Sequence, residues 1–499
     1  MSAGGEGGFD LRRLLGAAGL YAGAALAQRG VSLLLLPLYT RALPPAEYGM
    51  LELFNTVAAV AGTILALGFA SAINKVLHAD CETPAERQAL LVTALAIDLP
   101  VLLLGAALLV AGAEPLATWL VGDPAAADCV WLIAGQVVAA TLWALAVAML
   151  RAQERALAFG VLNLAQFVLT AAFNIVLVAG LGWGVRGVLF GTLLAQVLAL
   201  PVALAVAGRG SRLAVAPRLL RPLLQFGVLL LPMMLAGWVM DVSDRWVLRA
   251  FHGLDEVAVY AVGYKLGALL DTAVVWPFQL AWPAFAFAAS RRAGHHATYA
   301  RAFTYLVAVV SFAALAAALL APTVLPWLAG PAYGAAARVV PWVALASACN
   351  GAQFFFSPAV QLGGRVRSLA WYAPLAALVN LGLTLLLVPP FGMMGAAAAT
   401  LAAFALLAGL TARTAQQVYP VPLEHARLRA VLAAALGVYV VWWWLAPAAG
   451  VSALCGVLAA LAAFPLLAVA VAGLRADERE ALWGLLRRGR VAAAGAVSR

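Results

Sequence analysis

Fourteen apolar runs, each long enough to cross a bilayer, follow one another along these 499 residues, and almost every Lys and Arg falls in every second gap between them. About 20 apolar residues span a hydrocarbon core at 1.5 Å rise each. Lipid leaves backbone polar groups no outside partner, so spanning segments must be helices or closed barrels, and continuous apolar runs choose helices. The expected fold is therefore an all-α polytopic membrane protein. A hydrophobic fraction of 65%, a charged fraction of 10% and a mean hydropathy of +0.98 leave no room for a soluble domain of this length.

The expected spans are Leu14–Leu38, Met50–Ala72, Ala89–Ala111, Ala125–Leu150, Ala158–Leu181, Val185–Ala207 and Leu219–Val239 with a helical extension. They continue with Glu256–Pro283, Ala302–Pro322, Ala336–Val360, Ser368–Val388, Met394–Gln416, Leu428–Ala446 and Val451–Gly473. With a cytoplasmic N-terminus, the inside segments hold 24 of the 31 basic residues. The outside gaps are nearly bare: Glu114 to Asp128 holds acids only, and Val388–Gly392 holds no charge. Lys and Arg resist translocation, so both termini are expected in the cytoplasm. The net charge of +10 follows from this spread over many loops, which argues against nucleic acid as a partner. Trp442, Trp443 and Trp444 fall where an interfacial aromatic belt belongs.

A parallel repeat runs through the chain. Arg41 and Tyr48 recur as Arg249 and Tyr260, and Asn174 and Gly187 recur as Asn380 and Gly395, at offsets between 206 and 212. The expected organisation is a six-helix bundle at 1–208, a second at 209–418, two further helices at 419–473 and a cytoplasmic amphipathic tail at 474–499. In that tail Leu482, Trp483, Leu485 and Leu486 can lie on lipid while Arg487, Arg488 and Arg490 face head groups. Parallel repeats relate by an axis along the membrane normal, and transporters hold substrate between them.

Charges inside the bilayer are costly and usually face a cavity or a partner. The deep ones are Arg29, Asp98, Lys265 and Asp271, with Arg245 and Arg249 near the end of the seventh helix. One reading is a cationic cavity between the bundles, built from Arg29, Arg249, Lys265 and Arg245 and suited to an anionic head group. Arg offers a bidentate fork to phosphate and Lys a point charge. The other is internal pairing: Asp241 with Arg245, Asp244 with Arg249, Asp271 with Lys265 or Arg29. Asp98 and Asp271 are candidates for coupling to H+ or Na+. Asn174 and Asn380 are expected to bond between helices. Pro232, mid-helix at the start of the second half, is the best placed of several prolines to act as a bending point.

Enzyme signatures fail. Gly182-Trp-Gly184-Val-Arg-Gly187 fits GxGxxG but sits in a tight turn between two spans with no strand before it. No Walker A motif occurs, so transport would be secondary in energetics. His295-His296 has no further ligands nearby in sequence, and Cys81, Cys129, Cys349 and Cys455 form no CxxC. Neither a metal nor a cofactor is expected.

Two stretches then carry a resemblance. Pro37-Leu-Tyr-Thr-Arg41-Ala-Leu-Pro-Pro-Ala-Glu47-Tyr48-Gly49, with Asp244-Arg245-Trp and Val259-Tyr260-Ala-Val-Gly-Tyr264-Lys265-Leu, resembles the bacterial polysaccharide-export flippases. These belong to the multidrug/oligosaccharidyl-lipid/polysaccharide exporter superfamily, and the likeness runs from about Phe9 to Gly473. It implies two six-helix bundles around a V-shaped central cavity. It also implies translocation of undecaprenyl-diphosphate-linked oligosaccharide by alternating access, with Arg29, Arg249 and Lys265 as cavity cations by approximate position. No family motif stands behind Asp98. Alternatives in the same superfamily are a peptidoglycan-precursor flippase, which would carry more Arg in helices 1, 2 and 8, and a drug or cation antiporter, which would have 12 spans and several cavity acids. A membrane glycosyltransferase or glycan polymerase would need a long external loop, and the outer gaps here are short.

Overall fold

The computed structural model describes residues 35–291, 294–445 and 451–473. Most of the first apolar run with Arg29, Arg292, residues 446–450 and the expected amphipathic tail from 474 lie outside the described residues. The first six spans give α1 (Leu36–Ala42), α2 (Pro45–Leu65), α3 (Phe69–Ala79), α4 (Pro84–Ala111), α5 (Ala113–Val121), α6 (Ala127–Ala152), α7 (Ala156–Asn174) and α8 (Gly184–Ala207). The next six give α9 (Pro217–His252), α10 (Leu254–Gly267), α11 (Trp276–Ala289), α12 (His295–Leu328), α13 (Val340–Leu362) and α14 (Val366–Val418). Helices α15 (His425–Leu445) and α16 (Val451–Ala472) follow, and no strand occurs among the described residues.

Local chemistry sets several boundaries. Thr83 and Glu86 form a reciprocal capping box at the start of α4, with Pro84 in the first turn, where its missing N–H costs nothing. Proline likewise opens α2 and α9. Inside α14, 53 residues of straight helix would run about 80 Å, far beyond a bilayer core of roughly 30 Å. The helix instead breaks at Gly392, with φ 54° and ψ −134°. Beyond the break a Cβ on Gly395 would sit 2.2 Å from the Leu387 carbonyl oxygen, so the chain reverses there and only glycine fits.

By length and composition eleven described helices can cross a membrane, or twelve if the bent pair Pro331–Arg338 and Val340–Leu362 makes one span. The expected count of fourteen is not reached in the described residues, because the first run lies largely outside them and α14 counts once despite its break. The protein is a multi-pass membrane protein. Leu104, Leu108, Leu229, Leu386 and Leu466 stand more than 60% exposed on its outer surface, which suits lipid and not water.

Helix α6 is the most enclosed span and packs against α2, α3, α4 and α8. Helices α9 to α14 pack chiefly around α13 and α14, and α15 with α16 lies against α12. The two groups meet along a seam where α2 runs against α10 and α9 runs against α2, α3 and α4. Backbones touch at both ends of it. A Cβ on Gly49 would lie 2.1 Å from the Leu254 oxygen, and one on Gly227 2.2 Å from the Leu67 oxygen.

Candidate functional site: a polar cavity beside the seam

A cavity of about 730 Å³ opens beside this seam, within the range that holds small-molecule-sized ligands. Its described walls come from α9, α10, α11, α13, α14 and the π-helical stretch Asp271–Val275. Charged side chains line it (Asp241, Arg245, Lys265 and Asp271), with the amides of Gln279, Asn350 and Gln353 and the rings of Trp238, Tyr264 and Phe354. A π-helical turn widens the backbone by one residue and often marks a functional position, and Asp271 opens this one.

Lys265 stands on the cavity wall and reaches across the seam. Its Nζ donates to Tyr48 Oη at 2.8 Å and to Glu52 Oε1 at 2.5 Å, both on α2. Tyr48 and Glu52 are one helical turn apart, so they present one face to α10. The Glu52 side chain is 7% exposed and that of Lys265 23%, so this ion pair is largely withdrawn from solvent. Arg245 is buried alongside. Its guanidinium donates to the Asp241 backbone carbonyl at 2.5 Å, pairs with Asp244 at 3.4 Å and lies 4.8 Å from the Tyr264 ring centre. Tyr260 donates its hydroxyl to Asp244, and Tyr264 donates to Asp241 at 3.1 Å.

Several expected pairings are therefore corrected. Arg245 takes the backbone oxygen of Asp241, since a guanidinium folded back one turn meets the carbonyl of residue i−4 before the carboxylate. Asp244 pairs with Arg245 and Tyr260 instead of Arg249. Arg249 lies beside Gly122 on the first-half side, off the described cavity lining, and its Nε has no hydrogen-bond partner. Lys265 pairs with Glu52 in place of Asp271, whose Oδ1 accepts from Asn350 at 2.8 Å. Arg29 lies outside the described residues. Asp98 is fully buried in α4, away from the cavity, and neither of its oxygens has a hydrogen-bond partner. Asn174 does bond between helices, donating to Tyr39 Oη at 2.7 Å, and Asn380 accepts from Ser243 at 3.4 Å. Among the described residues no group of three His, Cys, Asp or Glu could hold a metal ion.

Sequence reasoning missed the cavity amides of Gln279, Asn350 and Gln353, and it missed Glu52, which meets Lys265 from α2 behind the cavity wall. For Glu52 the signal was present: an acid two residues inside an apolar run, four after Tyr48.

A family model described as "Polysaccharide biosynthesis protein" matches residues 15–288. No curated protein sequence matches the chain. Among solved structures, a lipid II flippase MurJ in an inward closed conformation superposes with a TM-score of 0.73 at 11% identity, over 90% of this chain and 98% of that one. An inward-facing multidrug resistance MATE family transporter of the MOP superfamily gives 0.62 at 15% identity, over 79% and 97%. A Vibrio cholerae MATE transporter gives 0.56 at 14% identity, over 81% and 96%. At these identities the likeness speaks for the fold.

Proposed function

Since this chain belongs to the polysaccharide biosynthesis protein family and has the fold of the MOP-superfamily transporters, we propose that it is a flippase for undecaprenyl-diphosphate-linked oligosaccharide. It carries the glycan from the cytoplasmic to the periplasmic leaflet of the inner membrane by alternating access, with both termini cytoplasmic. The observation that carries this reading is a pair of cations, Lys265 and Arg245, on the wall of a cavity that also presents the carboxylates of Asp241 and Asp271, with amides, hydroxyls and aromatic faces between them.

The cations take the diphosphate, because charge-assisted hydrogen bonds to phosphate oxygens are about twice as strong as neutral ones. Amides and ring faces suit sugar hydroxyls and the apolar faces of pyranose rings. The polyprenyl tail stays in lipid, where it gains nothing by leaving. Arg29 and Arg249 complete the cationic set as the two halves rearrange. Asp98, a carboxyl buried without a partner, and Asp271, at the π-helical turn, are the groups through which H+ or Na+ would drive the cycle.

Proteoliposomes test this. Wild-type protein with a fluorescent undecaprenyl-diphosphate oligosaccharide should expose the glycan to an external glycosidase. Arg29→Ala, and the paired variant Glu52→Gln with Lys265→Gln, should slow exposure by tenfold or more, a loss of about 1.4 kcal/mol in transition-state stabilisation. The MurJ-like fold favours lipid II as the rival substrate, since it too is a lipid-linked diphosphate. Transport of lipid II in preference to the oligosaccharide would move the assignment there. Movement of ethidium-type cations with no lipid-linked glycan translocated would replace both with an antiporter.

A further inference from the structure

The cation best placed for a diphosphate is already occupied. Lys265 belongs to two places: its side chain forms part of the cavity wall, and its Nζ reaches α2, where Tyr48 Oη and Glu52 Oε1 accept its hydrogen bonds. Glu52 also feels the charge of Arg245. Arg245 in turn lines the cavity and keeps a buried Nε without a hydrogen-bond partner. We propose that Lys265, Tyr48 and Arg245 form an anion site that straddles the seam, that Glu52 is its resident occupant, and that the diphosphate of the substrate displaces Glu52. This rests on the function proposed above.

The chemistry favours exchange. A carboxylate brings one negative charge and two oxygens. A diphosphate brings more charge and more acceptor oxygens, and it can meet Lys265 and Arg245 together. Nothing is lost from the cavity when Glu52 lets go, because Glu52 lies behind Lys265 on α2. The consequence falls on the seam. A carboxylate left between α2 and α10 without its cation is a buried, uncompensated charge, and that state is relieved when the two helices part and water reaches it. Occupancy of the cavity is thereby linked to separation of α2 from α10. The link meets the requirement for a ligand-driven shift: the ligand binds the parted state more tightly than the closed one. The same device keeps an empty carrier closed at this end, since without an anion Lys265 returns to Glu52.

The test uses the full chain in detergent and measures binding of undecaprenyl diphosphate, inorganic pyrophosphate and undecaprenol. Removing the internal competitor in Glu52→Gln should tighten undecaprenyl diphosphate by about tenfold or more. Glu52→Asp, which keeps the charge but draws it back by one methylene, should give a smaller gain. Adding Lys265→Gln to Glu52→Gln should abolish the gain. Undecaprenol should bind alike in every variant. Spin labels at Ala46→Cys on α2 and Asp255→Cys on α10, in a chain whose four native cysteines are replaced and whose Glu52 and Lys265 are kept, should move apart when the diphosphate lipid is added. Unchanged or weaker binding in both Glu52 variants, with normal wild-type binding, overturns the exchange and leaves the flippase reading standing. Pyrophosphate binding with the same variant order but no lipid binding supports the anion site and removes the lipid-linked substrate. No binding of either diphosphate by the wild type overturns both.

Discussion

The two ends of the seam use the same backbone device and opposite electrostatics. At the α9–α10 corner, Gly49 meets the Leu254 carbonyl, Trp246 Nε1 donates to Thr56 Oγ1 at 2.6 Å, and Lys265 pairs with Glu52 out of solvent. At the far end, Gly68 meets Gly227 and Lys75 lies 5.8 Å from the centre of the Phe226 ring. There Arg218 donates to Glu82 and, at 3.1 Å, to Glu86. The Arg218 and Glu82 side chains are 55% and 68% exposed, where those of Lys265 and Glu52 are 23% and 7%. An exposed pair trades water for a partner at little net gain and is screened by salt. A buried pair is expensive to split, because the survivor keeps its charge and loses its compensation. One end is thus held by contacts that solvent can replace, and the other by a contact that only a comparable anion can replace. The second end is the one that borders the cavity.

Splitting the buried pair should have the largest effect on stability. Lys265→Met, which leaves Glu52 buried and unpaired, should cost about 3–5 kcal/mol, and adding Glu52→Gln should restore most of it. Thermal unfolding of the single and double variants in one detergent reads both values. Equal losses in the single and double variants would mean that the pair does not act as a unit. A smaller but clear effect is expected at the backbone contact. Gly49→Ala places a methyl against the Leu254 oxygen and should cost about 1–3 kcal/mol through forced separation of α2 and α10. Full wild-type stability in this variant would mean that the contact is slack.

Smallest of all is the far end. Arg218→Gln should leave the melting temperature within error at physiological salt. The Arg218 hydrogen bond and charge hold the Glu82 carboxyl below its ordinary value of 4.5. That carboxylate's contribution is therefore in place at neutral pH and lost as pH falls through the acidic range below that value. At low salt, where the exposed pair is least screened, wild type should melt slightly above Arg218→Gln, and that difference should close on acidification and on adding salt. A difference that survives both would show that the two ends are more alike than their exposure suggests.

Much of the fold was legible because membrane insertion reads the chain locally. Each apolar run states its own transfer free energy, so α4, α6, α8 and α12 stand close to where hydropathy alone puts them. The corner in α14 was legible too, as a gap between two runs, although Gly392 and Gly395 explain why it is so tight. The site was legible only in part. Lys265 and Arg245 stood out as charges in apolar surroundings, and both line the cavity. Their partners did not follow from spacing. Asp271 is six residues from Lys265 and faces Asn350 on α13, because the π-helical turn and the packing of α10 against α2 turn the two side chains to different neighbours.

The sequence by itself determined the class of the molecule, the placement of most of its helices and the kinds of charge buried among them. These depend on one residue and its near neighbours against lipid or water. Tertiary structure alone decided that Lys265 meets Glu52, 213 positions away, and that this meeting lies on the wall of a cavity. Such a contact depends on the rotation and register of two helices, set by where glycines allow backbones to touch, and no local free energy along the chain records that choice.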